Sequence, residues 1–200
     1  TTADTVAVSN SITMRVIALP NAGTITGGTA VCVGQNLTLS NATSGGTWSS
    51  SSTSNATITT GGVVRGVASG TSIISYSVTN FCGTAVDTQL ITVNALPTIG
   101  TSPTSATICS GTSTNISGTG GSTYSWSPAT GLSATTGTSI TASPTATTTY
   151  TVTGVSAVGC SNTGTITITV NASPTVTATS AASSYCYGGS TTLSAATATT

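Results

Sequence analysis

Apolar and polar residues alternate along much of this chain with a period of two. In the stretch 165–170, threonines alternate with Ile166, Ile168 and Val170, and the stretch 72–79 follows the same rule. This period places successive side chains on opposite faces of an extended strand. Glycine-rich stretches between these segments are typical of tight turns. The pattern therefore predicts short β-strands, each with one buried face.

A second pattern has a much longer period, and its step from Cys32 to Cys109 equals its step from Cys109 to Cys186. Its markers are a cysteine followed two positions later by glycine, and an alanine followed two positions later by proline. The three copies are Cys32-Val33-Gly34 with Ala18-Leu19-Pro20, Cys109-Ser110-Gly111 with Ala95-Leu96-Pro97, and Cys186-Tyr187-Gly188 with Ala172-Ser173-Pro174. Such self-similarity indicates an array of structural repeats. We expect whole repeats at 18–94 and 95–171, the last strands of a preceding repeat at 1–17, and the first part of a following repeat at 172–200.

Composition agrees with an all-β chain, because β-branched Thr and Val are abundant while Glu and Lys are absent. Charged residues make up only 2% of the chain, whereas an ordinary domain has about 25%. The charged residues are Asp4, Arg15, Arg65 and Asp87. This excludes a basic surface for nucleic acid and an acidic calcium loop. Because no apolar run reaches the roughly 20 residues of a membrane span, we expect no membrane insertion in this region.

Three stretches resemble domains of bacterial surface proteins. Residues 55–74, NATITTGGVVRGVASGTSII, are similar to the core of group 2 bacterial immunoglobulin-like (Ig-like) domains. Residues 124–132, YSWSPATGL, and 148–154, TTYTVTG, resemble PKD-like and Ig-like repeats of large secreted and cell-surface proteins of the Bacteroidota. The resemblance implies a tandem array of Ig-like β-sandwich repeats, each of about 77 residues, placed end to end outside the cell.

The five cysteines follow the repeat, with two in each whole repeat and one in the segment after them. The chain has no His and no CxxC motif, so zinc coordination is a poor interpretation. In a surface-type protein, paired thiols in a small repeat predict one disulfide within each repeat. We therefore expect the bonds Cys32–Cys82 and Cys109–Cys160 at one end of each sandwich, with the partner of Cys186 outside the chain. The alternative is free, buried thiols.

Catalytic chemistry is not predicted from these residues. A Ser or Thr nucleophile needs a base such as His or Lys, and the chain contains neither. A carboxylate pair for glycoside hydrolysis would have to be Asp4 and Asp87, which fall in different repeats. We therefore expect a protein that is not an enzyme and that binds no metal or cofactor.

The two tryptophans occupy equivalent places in the sequence, because the separation of Trp48 from Cys82 equals that of Trp126 from Cys160. Together with Tyr76 and Tyr150, they are in phase with aliphatic residues of the predicted strands. This spacing predicts that both tryptophans are core anchors. The alternative is an exposed aromatic platform on which sugars stack.

Both aspartates precede a threonine. Asp4-Thr5-Val6 is similar to the Asp-Ser/Thr-apolar site of O-glycosylation in exported Bacteroidota proteins, and Asp87-Thr88-Gln89 departs from it in the third position. We therefore consider Thr5 and Thr88 candidate glycan acceptors, and we expect both to lie near loop ends, where an enzyme reaches them.

Taken together, these patterns favour a non-catalytic structural region of a giant extracellular stalk, filament or adhesin at the bacterial cell surface. Its expected partners are neighbouring repeats or copies of itself, and surface glycans. One alternative is a filament subunit that neighbouring subunits complete by strand donation. The other is a carbohydrate-binding module of a secreted enzyme, which would need an exposed row of aromatic side chains.

Overall fold

The computed structural model of the protein describes residues 16–181, 183–184 and 186–197, with Thr197 described by its backbone only. Seventeen strands and no helix are found among these residues, so none of them forms a helix that could cross a membrane. The chain divides into two compact units, and the division falls between Ala95 and Leu96. The predicted fold class, all-β with tandem Ig-like sandwiches, is confirmed. The strands expected before residue 16 lie outside the described residues.

The first unit is a sandwich of two four-stranded sheets. One sheet has the order β1-β3-β6-β5 and the other the order β2-β8-β7-β4. The strands are β1 (Ile25–Gly27), β2 (Ala30–Cys32), β3 (Asn36–Asn41), β4 (Thr47–Ser50), β5 (Ala56–Ile58), β6 (Val63–Gly66), β7 (Gly70–Asn80) and β8 (Gly83–Asn94). All pairs are antiparallel except β2 with β8, which run parallel. This strand order is that of an immunoglobulin domain whose first strand is shared between both sheets.

The second unit repeats this plan with one strand fewer. Its sheets have the orders β13-β11-β9 and β10-β15-β14-β12, and β10 runs parallel to β15. The strands are β9 (Gly100–Ser102), β10 (Ser105–Cys109), β11 (Thr114–Thr119), β12 (Thr123–Ser127), β13 (Ser139–Ala142), β14 (Thr148–Val155) and β15 (Ser161–Asn171). Residues 128–138 form an irregular connection where the first unit has β5.

Two further strands follow, β16 (Val176–Ser180) and β17 (Leu193–Thr197), which pair with each other in an antiparallel ladder. The first two strands of this kind in the earlier units, β1 with β3 and β9 with β11, are also antiparallel pairs. Their apolar side chains lie in solvent, since Val176 is 59% exposed and Leu193 is 75% exposed.

Each unit has its own hydrophobic core between its two sheets. In the first unit the core includes Leu39, Ile74 and Ile91, and in the second it includes Ile116 and Ile168, all essentially buried. The alternation in the sequence produces this arrangement, because every second side chain of the long strands points into the sandwich. Burying one such aliphatic side chain contributes about 1.5–3 kcal/mol to folding.

Candidate functional site

The first cysteine of each unit lies where the chain leaves that unit, an end that we call the C-terminal pole. Cys32 is the last residue of β2 and lies opposite Asn94, the last residue of β8. Cys109 ends β10 and lies opposite Asn171, the last residue of β15. In both units the next amide after the cysteine donates to this asparagine carbonyl, at 3.0 Å and 2.8 Å respectively. The two cysteines therefore occupy equivalent positions.

The repeated Cys-x-Gly marker forms one particular turn. The carbonyl of the cysteine accepts a hydrogen bond from the amide three residues later at 3.0 Å for Cys32, 3.0 Å for Cys109 and 2.9 Å for Cys186. The glycine of each turn has a positive φ, and the three residues are Gly34 (81°), Gly111 (84°) and Gly188 (85°). Glycine adopts this conformation without strain, which explains why it recurs at this place.

The second cysteine of each unit lies at the opposite end, where the chain enters, which we call the N-terminal pole. Cys82 immediately precedes β8, and its thiol donates to the Ile17 carbonyl at 3.3 Å. In the same hairpin, the Asn80 side-chain amide donates to the Ala18 carbonyl at 2.8 Å. The incoming segment of the first unit is therefore held beside Cys82.

The second unit repeats this arrangement at its own N-terminal pole. Cys160 immediately precedes β15, and it accepts from the Ser156 amide through its carbonyl at 2.8 Å. Two residues later, the Asn162 side-chain amide donates to the Pro97 carbonyl at 3.0 Å. Cys160 is thus fixed in a short hairpin loop near the segment that enters the second unit.

The predicted bonds Cys32–Cys82 and Cys109–Cys160 are wrong, because each pair has its members at opposite poles. Strand β8 has 12 residues and β15 has 11 residues between these poles. At about 3.4 Å per residue the separation is roughly 35–40 Å. The Cα atoms of a disulfide must lie within about 7 Å of each other. Equal spacing in the sequence identified equivalent cysteines, but it did not identify which of them are neighbours.

The five cysteines differ in their chemical state. Cys32 and Cys160 are disulfide-bonded, whereas Cys82, Cys109 and Cys186 are free, exposed thiols. Cys160 is only 1% exposed. The structure brings the first cysteine beside the end of its unit through the parallel pairing of β2 with β8, and no pattern in the sequence indicates that pairing. That pairing was not part of our interpretation of the sequence.

The tryptophans lie on equivalent strands, with Trp48 opposite Tyr76 and Trp126 opposite Val152. Trp126 is 3% exposed, and its indole N–H donates to the Gly137 carbonyl at 3.0 Å. Trp48 is only partly buried and packs against the edge of the first core. Because Tyr76 and Trp126 face the interior of their units, these aromatic residues do not form a row on which sugars could stack.

Tyrosine hydroxyls brace the loop between β3 and β4 in the first unit and the loop between β11 and β12 in the second, a role that our sequence interpretation missed. In the first unit, Tyr76 donates to the Thr43 carbonyl at 2.5 Å and accepts from the Gly46 amide at 2.9 Å. In the second unit, Tyr124 both donates to the carbonyl and accepts from the amide of Gly121, at 2.7 Å each. The two tyrosines come from different strands, so the sequence repeat does not align them.

A third tyrosine hydroxyl lies deeper, in the core of the second unit. Tyr150 is fully buried, and its hydroxyl donates to the Thr130 carbonyl at 2.7 Å. Burial raises the pKa of Tyr150 above its ordinary value of 10.0, and a hydrogen bond with Thr148 offsets part of this effect. The neutral phenol is therefore the form that the folded unit stabilises.

The candidate acceptor Thr88 lies inside strand β8, opposite Ser75, with its side chain exposed. The expectation that it lies near a loop end is therefore wrong. The neighbouring carboxylate of Asp87 accepts a hydrogen bond from the Ile25 amide at 2.6 Å, which fastens strand β1 to the unit. Thr5, the other candidate acceptor, lies outside the described residues.

The outer surface of the second unit offers hydroxyl groups rather than charges. An open groove of about 510 Å³ runs beside edge strand β12 and is lined by Ser122, Thr123, Tyr124, Ser125, Thr136, Gly137, Thr138, Thr153 and Val155. In the described ranges, no group of three or more His, Cys, Asp or Glu side chains comes together to hold a metal. The chemically distinctive positions of both units are therefore the cysteine-bearing poles.

Comparisons with known proteins gave matches only at the level of structure. No family model matches the chain, and no curated protein matches it. Domains 4 and 5 of the S-layer protein SbsC are 16% identical, with a TM-score of 0.31, over 67% of this chain and 82% of that one. Extracellular domains 3–5 of Drosophila OTK are 11% identical, with a TM-score of 0.37, over 71% and 58%. An I-band fragment of titin is 15% identical, with a TM-score of 0.31, over 72% and 63%. The chain thus spans less than two thirds of the OTK and titin fragments, and these likenesses concern the fold alone.

Proposed function

We propose that this chain is a non-catalytic structural region of a long extracellular stalk, filament or adhesin at a bacterial cell surface. The observation that supports the proposal is the position of the two poles. The chain enters each unit beside the start of the last strand and leaves it beside the end of that strand. With 12 residues in β8 and 11 in β15, each unit advances the chain by roughly 35–40 Å. Repeats of this kind extend a chain steadily when they follow one another end to end.

The N-terminal pole of the first unit supports the same proposal. Three large apolar side chains there lie in solvent, with Val16 94% exposed, Leu19 78% exposed and Phe81 93% exposed. Clustered exposed apolar residues are typical of interaction surfaces. The surface expected to cover them is the C-terminal pole of a preceding repeat.

Polypeptide length in the native source tests the proposal. An antibody raised against this chain, used after denaturing electrophoresis with reductant, is expected to detect a polypeptide many times larger than 19.2 kDa. Limited proteolysis of that polypeptide should give a ladder whose steps correspond to single repeats. A native polypeptide of about the size of this chain would contradict the proposal.

A specific observation favours a second candidate, a filament subunit completed by strand donation. The β16–β17 hairpin exposes Val176 and Leu193 on a ladder of only two strands. Such a hairpin is marginal alone, and a strand from another copy would complete it. This candidate predicts that the purified chain polymerises and that Leu193→Asp prevents polymerisation. Leu90→Asp is the matched control, because Leu90 is also exposed, at 56%, but lies on the first unit.

Glycans are the other partner that we propose, with Thr5 and Thr88 as their acceptors. A surface with so few charges has little electrostatic repulsion to keep neighbouring filaments apart, and hydrated sugars would supply a steric barrier. The exposed side chain of Thr88 is compatible with this role. Mass measurement of the native protein should find the modification, and unmodified peptides containing Thr5 and Thr88 would contradict it.

A further inference from the structure

Strand β12 and the connection 136–138 border the groove of about 510 Å³ on the second unit, and all of its lining residues belong to that unit. We propose that this groove binds a neutral, hydroxyl-rich ligand, namely a segment of an uncharged glycan. The inference rests on the adhesive role proposed above, and it adds to that role a class of ligand and the site that holds it.

Six side-chain hydroxyl groups that line the groove are available to a ligand. None of them forms a hydrogen bond with another group in the part of the chain that the structure describes. Each can donate one hydrogen bond and accept others, so each can pair with a ligand hydroxyl in either direction. The residues are Ser122, Thr123, Ser125, Thr136, Thr138 and Thr153.

Hydroxyl-bearing residues also form a row across the strands. Thr163 on β15 lies opposite Thr153 on β14. Thr153 lies opposite Ser125 on β12, and Ser125 lies opposite Thr136 on the connection. Neighbouring strands are about 4.8 Å apart, so the row has a regular interval. A chain of sugar rings presents hydroxyl groups repeatedly along its length and can therefore engage several members of the row at once.

The absence of charge selects the kind of ligand. The four charged side chains of the chain, at positions 4, 15, 65 and 87, all precede the second unit. An ionised ligand would therefore lose hydration in the groove without meeting an opposite charge. A purely apolar ligand would leave the hydroxyl groups without partners. A neutral glycan avoids both penalties, because its hydroxyl groups replace water and its C–H groups can contact Val155 and the threonine methyl groups.

The edge of β12 is not open to an added peptide strand at this place. The Trp126 amide donates to the Thr135 carbonyl at 2.8 Å, and the Gly137 amide donates to the Tyr124 carbonyl at 3.2 Å. These bonds occupy backbone groups through which an added strand would pair. A ligand in the groove therefore binds through side chains, which favours a glycan over an extended peptide.

The wall of the groove is fixed before a ligand binds. The Thr138 carbonyl accepts from the Gly118 amide at 2.8 Å, and the Gly137 carbonyl accepts from the Trp126 indole N–H at 3.0 Å. Gly137 has a φ of 124°, a backbone conformation that favours glycine. A preformed wall reduces the conformational entropy that is lost on binding. The buried Trp126 is thus a positioning residue for the groove.

NMR titration of the isotope-labelled chain tests the proposal and detects weak binding. The probes are cellotetraose, maltotetraose and mannotetraose, with tetragalacturonate as the charged comparison. We expect saturable shifts of amide signals in 122–125, 136–138 and 153–155 with at least one neutral probe, and weaker binding of tetragalacturonate. No saturable shift of these signals with any neutral probe overturns the proposal, as does tighter binding of tetragalacturonate. Shifts caused by a peptide of sequence 163–169, and not by the tetrasaccharides, would indicate strand recognition instead.

Matched substitutions on one face of the sheet identify the groove as the site. Thr153→Val removes one lining hydroxyl with little change of shape, and it should weaken binding of the tetrasaccharide by roughly three- to tenfold. Ser125→Ala combined with Thr153→Val should weaken it further. Thr165→Val is the control, because Thr165 is exposed on the same face but does not line the groove. The control should bind like the parent chain, and equal affinity of the double variant and the parent overturns the proposal.

The titration is separable from the size of the native polypeptide. Binding in the groove together with a short native polypeptide would contradict the long array and leave the groove assigned. A long native polypeptide whose groove binds none of the neutral probes would contradict the groove alone.

Discussion

Trp48 packs against Tyr76, the residue directly opposite it on the neighbouring strand, with ring centroids 4.7 Å apart and ring planes inclined by 54°. In the second unit, the equivalent Trp126 lies opposite Val152 instead. An aromatic pair in a tilted arrangement contributes about 0.5–1.5 kcal/mol beyond the burial of its surface. The equivalent tryptophans are thus held in different ways. Trp48 is held by contact with a second aromatic ring, and Trp126 by almost complete burial in the core.

This difference predicts unequal effects of truncation. Trp126→Ala should destabilise the second unit by about 3–5 kcal/mol, because it leaves a cavity in a closed core and removes the bond to Gly137. Trp48→Ala should destabilise the first unit by less, since part of this side chain is already in solvent. Urea unfolding of each variant, followed by circular dichroism, measures both values. A larger loss for Trp48→Ala than for Trp126→Ala would contradict the prediction.

The strands were largely predictable from the sequence, and the contacts between distant strands were not. The alternation in 72–79 and 165–170 correctly located β7 and β15, because burial of one face imposes a period of two. Alternation of apolar and polar residues does not indicate which strands become neighbours. The sequence therefore did not predict the parallel pairing that places Cys32 opposite Asn94. It also placed Thr88 near a loop end, although β8 already begins at Gly83 and includes Thr88.

Removing the Tyr76 hydroxyl should loosen the Thr43–Gly46 loop. Tyr76→Phe loses two hydrogen bonds at once, and we expect the free energy of unfolding of the first unit to fall by about 1–2 kcal/mol. Tyr124→Phe should have a similar effect on the second unit. Tyr187→Phe is the matched control, because Tyr187 is fully exposed and its replacement should change nothing. Denaturant unfolding checks all three, and equal stability of Tyr76→Phe and the parent chain would refute this role.

Arg65 should resist trypsin while the first unit is folded. It lies in β6, which pairs with β3 on one side and with β5 on the other, opposite Asn36 and Thr57. A protease must pull its substrate into an extended, unpaired form, so cleavage requires local unfolding of this sheet. Prolonged digestion of the folded chain should leave the bond after Arg65 intact, while the urea-unfolded chain should be cut there. Rapid cleavage of the folded chain at Arg65 would mean that this sheet opens readily.

Alkaline conditions should destabilise the second unit through Tyr150. The pKa of this phenol in the folded state lies above its ordinary value of 10.0 because of burial, whereas the unfolded chain titrates near about 10. Above that pH the unfolded state has lost a proton that the folded state retains, so the free energy of unfolding decreases as pH rises. Below it, both states are protonated and Tyr150 contributes no pH dependence. Urea unfolding between about pH 8 and 11, with free thiols alkylated beforehand, measures the decrease.

Tyr150→Phe should start about 1 kcal/mol less stable, through loss of the bond to Thr130, but should show a shallower decline above pH 10. Tyr187→Phe serves as the control, because the Tyr187 side chain is fully exposed. Equal slopes for the parent chain and Tyr150→Phe would contradict the assignment of the alkaline transition to this residue.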